Sequence, residues 1–263
     1  MPLMTLPNRV CLPNRVCLPN RVCLFVPCLV DSLYPNVAVA VERVFHRLGV
    51  EIDYPPDQIC CGQFALNAGQ LDQARCLARK TLDAFAGKSP IVGLSASCLY
   101  TIKALYQDLF EPGTRDHRRA RGISNQVYDL SEFLVSVLHV SDVGAEFAGT
   151  VTYHHSCHLN RGLGVKDEPV KLISKIKGVT YIPMLDFETC CGFGGTFSMK
   201  YPHISQAILE DKLKNIARTG ADYVVTAEPG CLMHLQSGLK RAGLSQRACH
   251  LAELLASPDL TIS

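Results

Sequence analysis

Residues 21–28, Arg21-Val22-Cys23-Leu24-Phe25-Val26-Pro27-Cys28, are a short run of β-branched and aromatic residues that stops at a cysteine. Such a run reads as a buried strand ending at Cys28. The unit recurs along the chain. Ile91-Val92-Gly93-Leu94 leads to Cys98, Val151-Thr152-Tyr153 to Cys157, and Tyr223-Val224-Val225-Thr226 to Cys231. Two adjacent pairs complete the pattern, Cys60-Cys61-Gly62 and Cys190-Cys191-Gly192. From the lone cysteine to the pair there are 31 intervening residues in the first half and 32 in the second; from the pair to the last cysteine there are 36 and 39. Matched spacing of this kind marks a duplicated unit with a period of roughly 120–130 residues, not a solenoid.

Between these runs the apolar spacing turns helical. Val37, Val41, Val44, Phe45 and Leu48 share one face, as do Leu71, Ala74, Ala78, Leu82 and Phe85. In the second half, helices are expected over 168–177 and 204–219, the latter closed by Gly220. The segment Leu130, Glu132, Phe133, Leu134 matches Leu251, Glu253, Leu254, Leu255. Alternating strands and helices predict an α/β protein of two Rossmann-like halves with parallel sheets. In such sheets functional groups collect beyond the carboxyl ends of strands, where these cysteines fall. The expected division is residues 1–18 as a low-complexity, disordered extension, 19–140 as the first half and 141–263 as the second. The extension is built on LPNRVC, which occurs three times from Leu6, Leu12 and Leu18.

A length of 263 residues with 48% hydrophobic and 19% charged residues is ordinary for a soluble globular protein. A formal charge of +2 gives no bulk electrostatic argument for nucleic acid or lipid. The densest basic run, Arg115 to Arg121, reads as a solvated loop. No stretch approaches the roughly 18 apolar residues of a membrane span, and the proline-broken N-terminus has no signal-peptide pattern. A cytoplasmic location is therefore expected. In that reducing setting thirteen cysteines point to metal rather than to disulfides.

Eight thiols in two sets of four are the candidate ligands: Cys28, Cys60, Cys61 and Cys98, then Cys157, Cys190, Cys191 and Cys231. The repeat gives no support to Cys11 and Cys17, pairs Cys249 with Tyr128, and leaves Cys23 inside a strand. Cys76 falls off its helix's apolar face. Thiolates in fours suit an iron–sulfur cluster, and they also suit structural zinc. Adjacent cysteines point apart, which is awkward for one small ion but fits the separate irons of a cluster. Zinc in one half stays open. Gly62 and Gly192 would let backbone N–H groups approach a cluster or anion. His154, His155, His158 and His234 flank the second set. Ligation, proton relay and hydrogen bonding to sulfur compete there with ordinary solvated or satisfied side chains. No flavin, nicotinamide or acid–base constellation is found.

PCLVDSLYP, DQICCGQFALNAG, YHHSCHLNRGLGVKDEP, ETCCGFGGTFSMKYP and GCLMH resemble the signature segments of the cysteine-rich CCG family. That family includes the heterodisulfide reductase B subunit, the glycolate oxidase iron–sulfur subunit and the lactate-utilisation proteins. The lactate-utilisation branch is the most similar, from about residue 21 onward. The resemblance implies a non-flavin electron-transfer subunit with one cluster of the 4Fe–4S type per half. It would work with a second iron–sulfur subunit and a third subunit in oxidising L-lactate, or a similar 2-hydroxy acid such as glycolate, to the 2-oxo acid. Catalysis like that of heterodisulfide reductase is the alternative, and a zinc-stabilised structural subunit is another. Against the reductase, Cys98 is followed by Leu-Tyr-Thr and Cys231 by Leu-Met-His, so the CxxC of that branch is absent. His155 stands where the family has an acidic residue.

Overall fold

The structure is a computed structural model and describes residues 5–6, 9–11 and 17–257. Three short strands come first, β1 (Thr5–Leu6), β2 (Arg9–Cys11) and β3 (Cys17–Pro19), paired antiparallel in that order. The expected disorder of residues 1–18 falls in large part outside the described residues.

Eight further strands form two parallel sheets of identical topology. In the first half, β4 (Arg21–Phe25), β5 (Glu51–Asp53), β6 (Ile91–Gly93) and β7 (Val127–Asp129) lie in the order β5-β4-β6-β7. In the second, β8 (Glu146–Tyr153), β9 (Lys177–Tyr181), β10 (Tyr223–Thr226) and β11 (Arg247–His250) lie in the order β9-β8-β10-β11. The expected α/β architecture with duplicated Rossmann-like halves is present. No helix among the described residues is long and apolar enough to cross a membrane.

Strand side chains alternate between two cores, as a period of two requires. Val22 and Leu24 of β4, Val92 of β6, Val225 of β10 and Cys249 of β11 face a central core shared by the two halves. Cys23, Phe25 and Ile91 face an outer core of the first half, and Val224 and Ala248 one of the second. The central layer packs helix Pro35–Arg47 against helix Leu251–Ala256. Arg47 ties these halves further: its guanidinium donates to the carbonyls of Val143, Leu255 and Ala256 at 2.9, 3.3 and 3.1 Å. A cation at a helix C-terminus satisfies carbonyls that the helix leaves free.

The repeated DLSE and HLAE segments are helix starts. Asp129 and His250 are N-caps, and Glu132 and Glu253 close a capping box in each copy. Two expectations are corrected. The strand at Cys28 stops at Phe25, and Cys28 opens a helix, Cys28–Leu33, after Pro27. The basic run is a helix, Arg115–Ser124, not a loop. Thr114 caps it by accepting from the His117 N–H at 3.3 Å, and Ala120 and Ile123 anchor it in the outer core. Asp116 pairs with Arg79 at 2.7 Å and Arg119 at 3.3 Å, and Arg119 also reaches Asp83. Dense charge obscured two apolar anchors spaced as one helix face requires.

Candidate metal centre

Each lone cysteine sits in the loop or first helical turn after a strand. Cys28 follows β4, and Cys98 follows β6 in helix Ala96–Tyr100, capped by Ser95. Cys157 follows β8, and Cys231 follows β10 as the third residue of helix Pro229–Arg241, capped by Glu228. Parallel strands therefore deliver all four to one side of the molecule. The two CCG loops arrive from β5 and β9. Gly62 and Gly192 have φ of 84° and 88°, a conformation that residues with a Cβ rarely adopt. A Cβ on Gly192 would lie 2.5 Å from the Ser205 carbonyl oxygen, so the following helix packs onto this backbone. The N–H of each glycine donates to the first cysteine of its own pair, at 3.4 Å to Cys60 and 3.3 Å to Cys190.

All eight candidate cysteines line a single cleft between the halves. In the first set Cys28 Sγ is 3.9 Å from Cys60 Sγ; in the second Cys191 Sγ is 3.1 Å from Cys231 Sγ. Hydrogen bonds from Cys28 and Cys61 hold the Cys60 sulfur well below the usual thiol range. Those from Cys157 and Cys191 do the same to Cys190. Their partners are pushed up, Cys28 by its bond to Cys60 and Cys157 by its bond to Cys190, with burial adding to both. Each set thus concentrates its first negative charge on one sulfur beside a glycine N–H. Thiols crowded in this way release protons when a metal arrives. Three further cysteines among the residues with described side chains stand apart: Cys23 and Cys249 are buried in core faces and Cys76 is exposed.

The cleft is held by a polar seam that sequence reading missed. Glu228 is buried, and its carboxylate accepts from Ser95 Oγ at 3.1 Å, the Ser97 N–H at 2.8 Å and the Gly230 N–H at 3.2 Å. Ser95 in turn accepts from the Cys98 N–H at 3.4 Å. Counting back three residues from Cys98 and Cys231 would have pointed to both.

The histidines divide. His158 lines the cleft, with Nδ1 3.8 Å from Cys157 Sγ. His155 lies between Tyr153, edge-to-face, and Phe187, tilted, with both ring centroids 4.7 Å away. His234 approaches Ser205 Oγ at 3.4 Å. His154 is 1% exposed, and neither ring nitrogen has a hydrogen-bond partner among the described residues. It is therefore neither solvated nor satisfied. A ring nitrogen of His154 and the sulfurs of Cys191 and Cys231 lie within 4.8 Å of one another. Burial pushes His154 down to about 3, so the neutral imidazole is the form present at neutral pH. Lys212 was also missed. It occupies a core position of helix Pro202–Thr219, in phase with Leu209 and Ile216, and is fully buried. Burial pushes it down to about 8, against the pull of Cys191, Cys190 and Cys231.

A four-thiol set with a glycine N–H on one sulfur suits an iron–sulfur cluster chemically, and an orphaned buried imidazole beside the second set suits a site that is filled.

Two strand-and-helix units, each presenting four cysteines to one cleft, define a duplicated cysteine-rich domain. The CCG family, described as a cysteine-rich domain, matches residues 22–103 and 151–236. Over 234 residues the chain is 41% identical to Lactate utilization protein A of Bacillus cytotoxicus, covering 89% of this chain and 98% of that one. It is 40% identical to Lactate utilization protein A of Geobacillus thermodenitrificans, covering 88% and 97%. The chain belongs to the Lactate utilization protein A family of CCG proteins. A crystal structure of a hypothetical protein from Helicobacter pylori shares the fold, with a TM-score of 0.59 at 11% identity over 96% of this chain and 51% of that one.

Proposed function

We propose that this chain is an iron–sulfur electron-transfer subunit of a complex that oxidises L-lactate, or a similar 2-hydroxy acid such as glycolate, to the 2-oxo acid. The observation that carries this reading is the meeting of both four-cysteine sets at one cleft. Cys28, Cys60, Cys61 and Cys98 would hold one cluster and Cys157, Cys190, Cys191 and Cys231 the other. Clusters so held supply one-electron chemistry. The chain's own contribution is to keep the two sites adjacent, fixed by the Ser95–Glu228 seam and by glycine N–H groups on Cys60 and Cys190. The relatives' printed name supports lactate utilisation as the process. A second iron–sulfur subunit and a third subunit would supply substrate oxidation and the onward acceptor.

Growth tests the function. Cells lacking this chain should fail on L-lactate as sole carbon source and grow normally on pyruvate. The wild-type chain should restore growth, and the Cys191→Ser chain should not. Undiminished growth on lactate without the chain contradicts the proposal, and a defect confined to glycolate would redirect the substrate.

A second reading has one specific observation in its favour. His154, Cys191 and Cys231 form a compact donor group of the kind a single zinc ion takes. Zinc in the second half and iron in the first would be its signature on metal analysis.

A further inference from the structure

The repeat lets the surroundings of the two cysteine sets be compared position by position. Their burial is nearly the same: Cys61 and Cys191 are both 2% exposed, and Cys98 and Cys231 are 8% and 6%. Solvent access therefore does not separate the two sites. Charge and hydrogen-bonding capacity do.

Three residues before Cys157 stands His154; three residues before Cys28 stands Phe25. His154 is buried with neither ring nitrogen partnered among the described residues, and one of them lies within 4.8 Å of the Cys191 and Cys231 sulfurs, whereas Phe25 can donate nothing. The second difference lies on the helix behind each CCG loop. Gly62 packs on Ala74 and Leu77, and Gly192 on Ser205 and Ile208, so the two helices align with Ala74 opposite Ser205. In that register Lys212 falls opposite Thr81, and both are fully buried. Lys212 lies within electrostatic reach of Cys190, Cys191 and Cys231, while Thr81 is neutral and spends its hydroxyl on the Leu77 carbonyl at 3.1 Å. Among the described residues the Lys212 ammonium hydrogen-bonds only to the Met184 sulfur and the carbonyls of Asp186 and Phe187, at 3.4–3.5 Å. Among the described residues no carboxylate lies within ion-pair distance of it, and Asp186 acts on it only at longer range. The buried acid of the cleft, Glu228, works against Lys212 at the second site, where its charge acts on Cys231, but donors from both halves hold it. It accepts from Ser97 beside Cys98 and from Gly230 beside Cys231.

A reduced cluster carries one more negative charge than an oxidised one. A buried cation and an N–H donor aimed at its sulfurs both favour that reduced state, and more strongly where water is excluded. Building on the iron–sulfur reading above, we propose that the second-half site has the higher reduction potential, set by His154 and Lys212, which act as positioning and charge-tuning residues rather than as thiolate ligands. An electron shared between the sites then resides at the second half, leaving the first oxidised. Electron entry belongs to the first half, and exit to a one-electron acceptor belongs to the second.

The test is a potentiometric titration of the full chain, isolated anaerobically and followed by electron paramagnetic resonance. Cys61→Ser and Cys191→Ser assign the two reduction waves. In the wild-type chain the second-half wave should lie at higher potential. His154→Phe copies the first half, and Lys212→Met removes the charge at similar length. Each should move the second-half wave to lower potential and leave the first in place, while Lys212→Arg should keep it near the wild-type value. A second-half wave at or below the first, or one that neither neutral variant moves while both clusters are retained, overturns the proposal. If His154→Phe sheds iron, the wild-type order and Lys212→Met decide. A wild-type chain carrying no iron and sulfide would instead remove the iron–sulfur reading itself.

Discussion

Ser95 and Glu228 occupy the same position in the two repeats, three residues before the last cysteine of each set, and they hydrogen-bond each other. Ser95 Oγ lies 3.1 Å from both carboxylate oxygens of Glu228. Each caps the helix that carries its own cysteine. This contact between the halves is thus made by the residues that aim Cys98 and Cys231 into the cleft. Glu228→Ala would strand the buried N–H of Gly230 and the half-buried N–H of Ser97. A buried donor left without a partner costs about 1–3 kcal/mol, so a loss of about 3 kcal/mol is expected by urea unfolding. In a double-mutant cycle with Ser95→Ala, contacting residues should be non-additive by about 1 kcal/mol. Additive losses would show that the contact carries no coupling.

The two CCG glycines should respond unequally to a methyl group. Both have positive φ, which costs an ordinary residue roughly 1–2 kcal/mol. At Gly62 the new Cβ would meet the Leu77 Cβ at 3.2 Å, tight by a few tenths of an ångström; at Gly192 it would meet the Ser205 backbone oxygen at 2.5 Å, where something must shift. Gly192→Ala should therefore destabilise the chain more and lower metal retention in the second half more than Gly62→Ala does in the first. Calorimetry and metal content of the two variants check this.

Cysteine replacement should sort ligands from bystanders. Cys191→Ser should remove about half of the bound iron if each half holds one four-iron cluster. Cys76→Ser, at an exposed position, should change neither iron nor stability. Cys249→Ser puts a hydroxyl into the central core and should cost about 1–3 kcal/mol with iron unchanged. Equal iron loss in all three variants would overturn the ligand assignment.

Acid should weaken the fold through His250. Burial depresses its imidazole to about 4 from an ordinary 6.5, and in the fold its Nδ1 accepts the Ala252 N–H at 3.2 Å. Below pH 6.5 the unfolded chain takes up a proton that the folded chain refuses, so stability falls as pH drops from 6.5 to about 4. The contribution is on the order of 3 kcal/mol. His250→Asn keeps a capping side chain and cannot titrate, so it should flatten this part of the pH–stability curve. An unchanged slope would place the effect elsewhere.

Much of this organisation is written in the chain at short range. The β-branched run ahead of each lone cysteine, the CCG spacing and the DLSE/HLAE match place strands, loops and helix starts locally, and the sheets follow them. What stayed hidden depends on what meets across the molecule. Ser95 and Glu228 are unremarkable until two cap positions face each other. Lys212 sits in a helix whose pattern marks the position as core, but a lysine there reads as a surface residue until burial is known. His154 is one of three clustered histidines, and only packing separates its ring, with both nitrogens orphaned, from His155, which is held against Tyr153 and Phe187 with one nitrogen orphaned. The helix Arg115–Ser124 was lost for the converse reason, since its apolar anchors are outnumbered by charge.

On the proposed reading, each half of this chain holds an iron–sulfur cluster on its four cleft cysteines. Iron, acid-labile sulfide and zinc measured on the full chain isolated without oxygen test it most directly, together with the visible spectrum. Two clusters should give iron and sulfide in equal amounts, roughly four of each per half for cubane clusters, with broad charge-transfer absorption. Zinc alone, with no visible absorption and no sulfide, would contradict it.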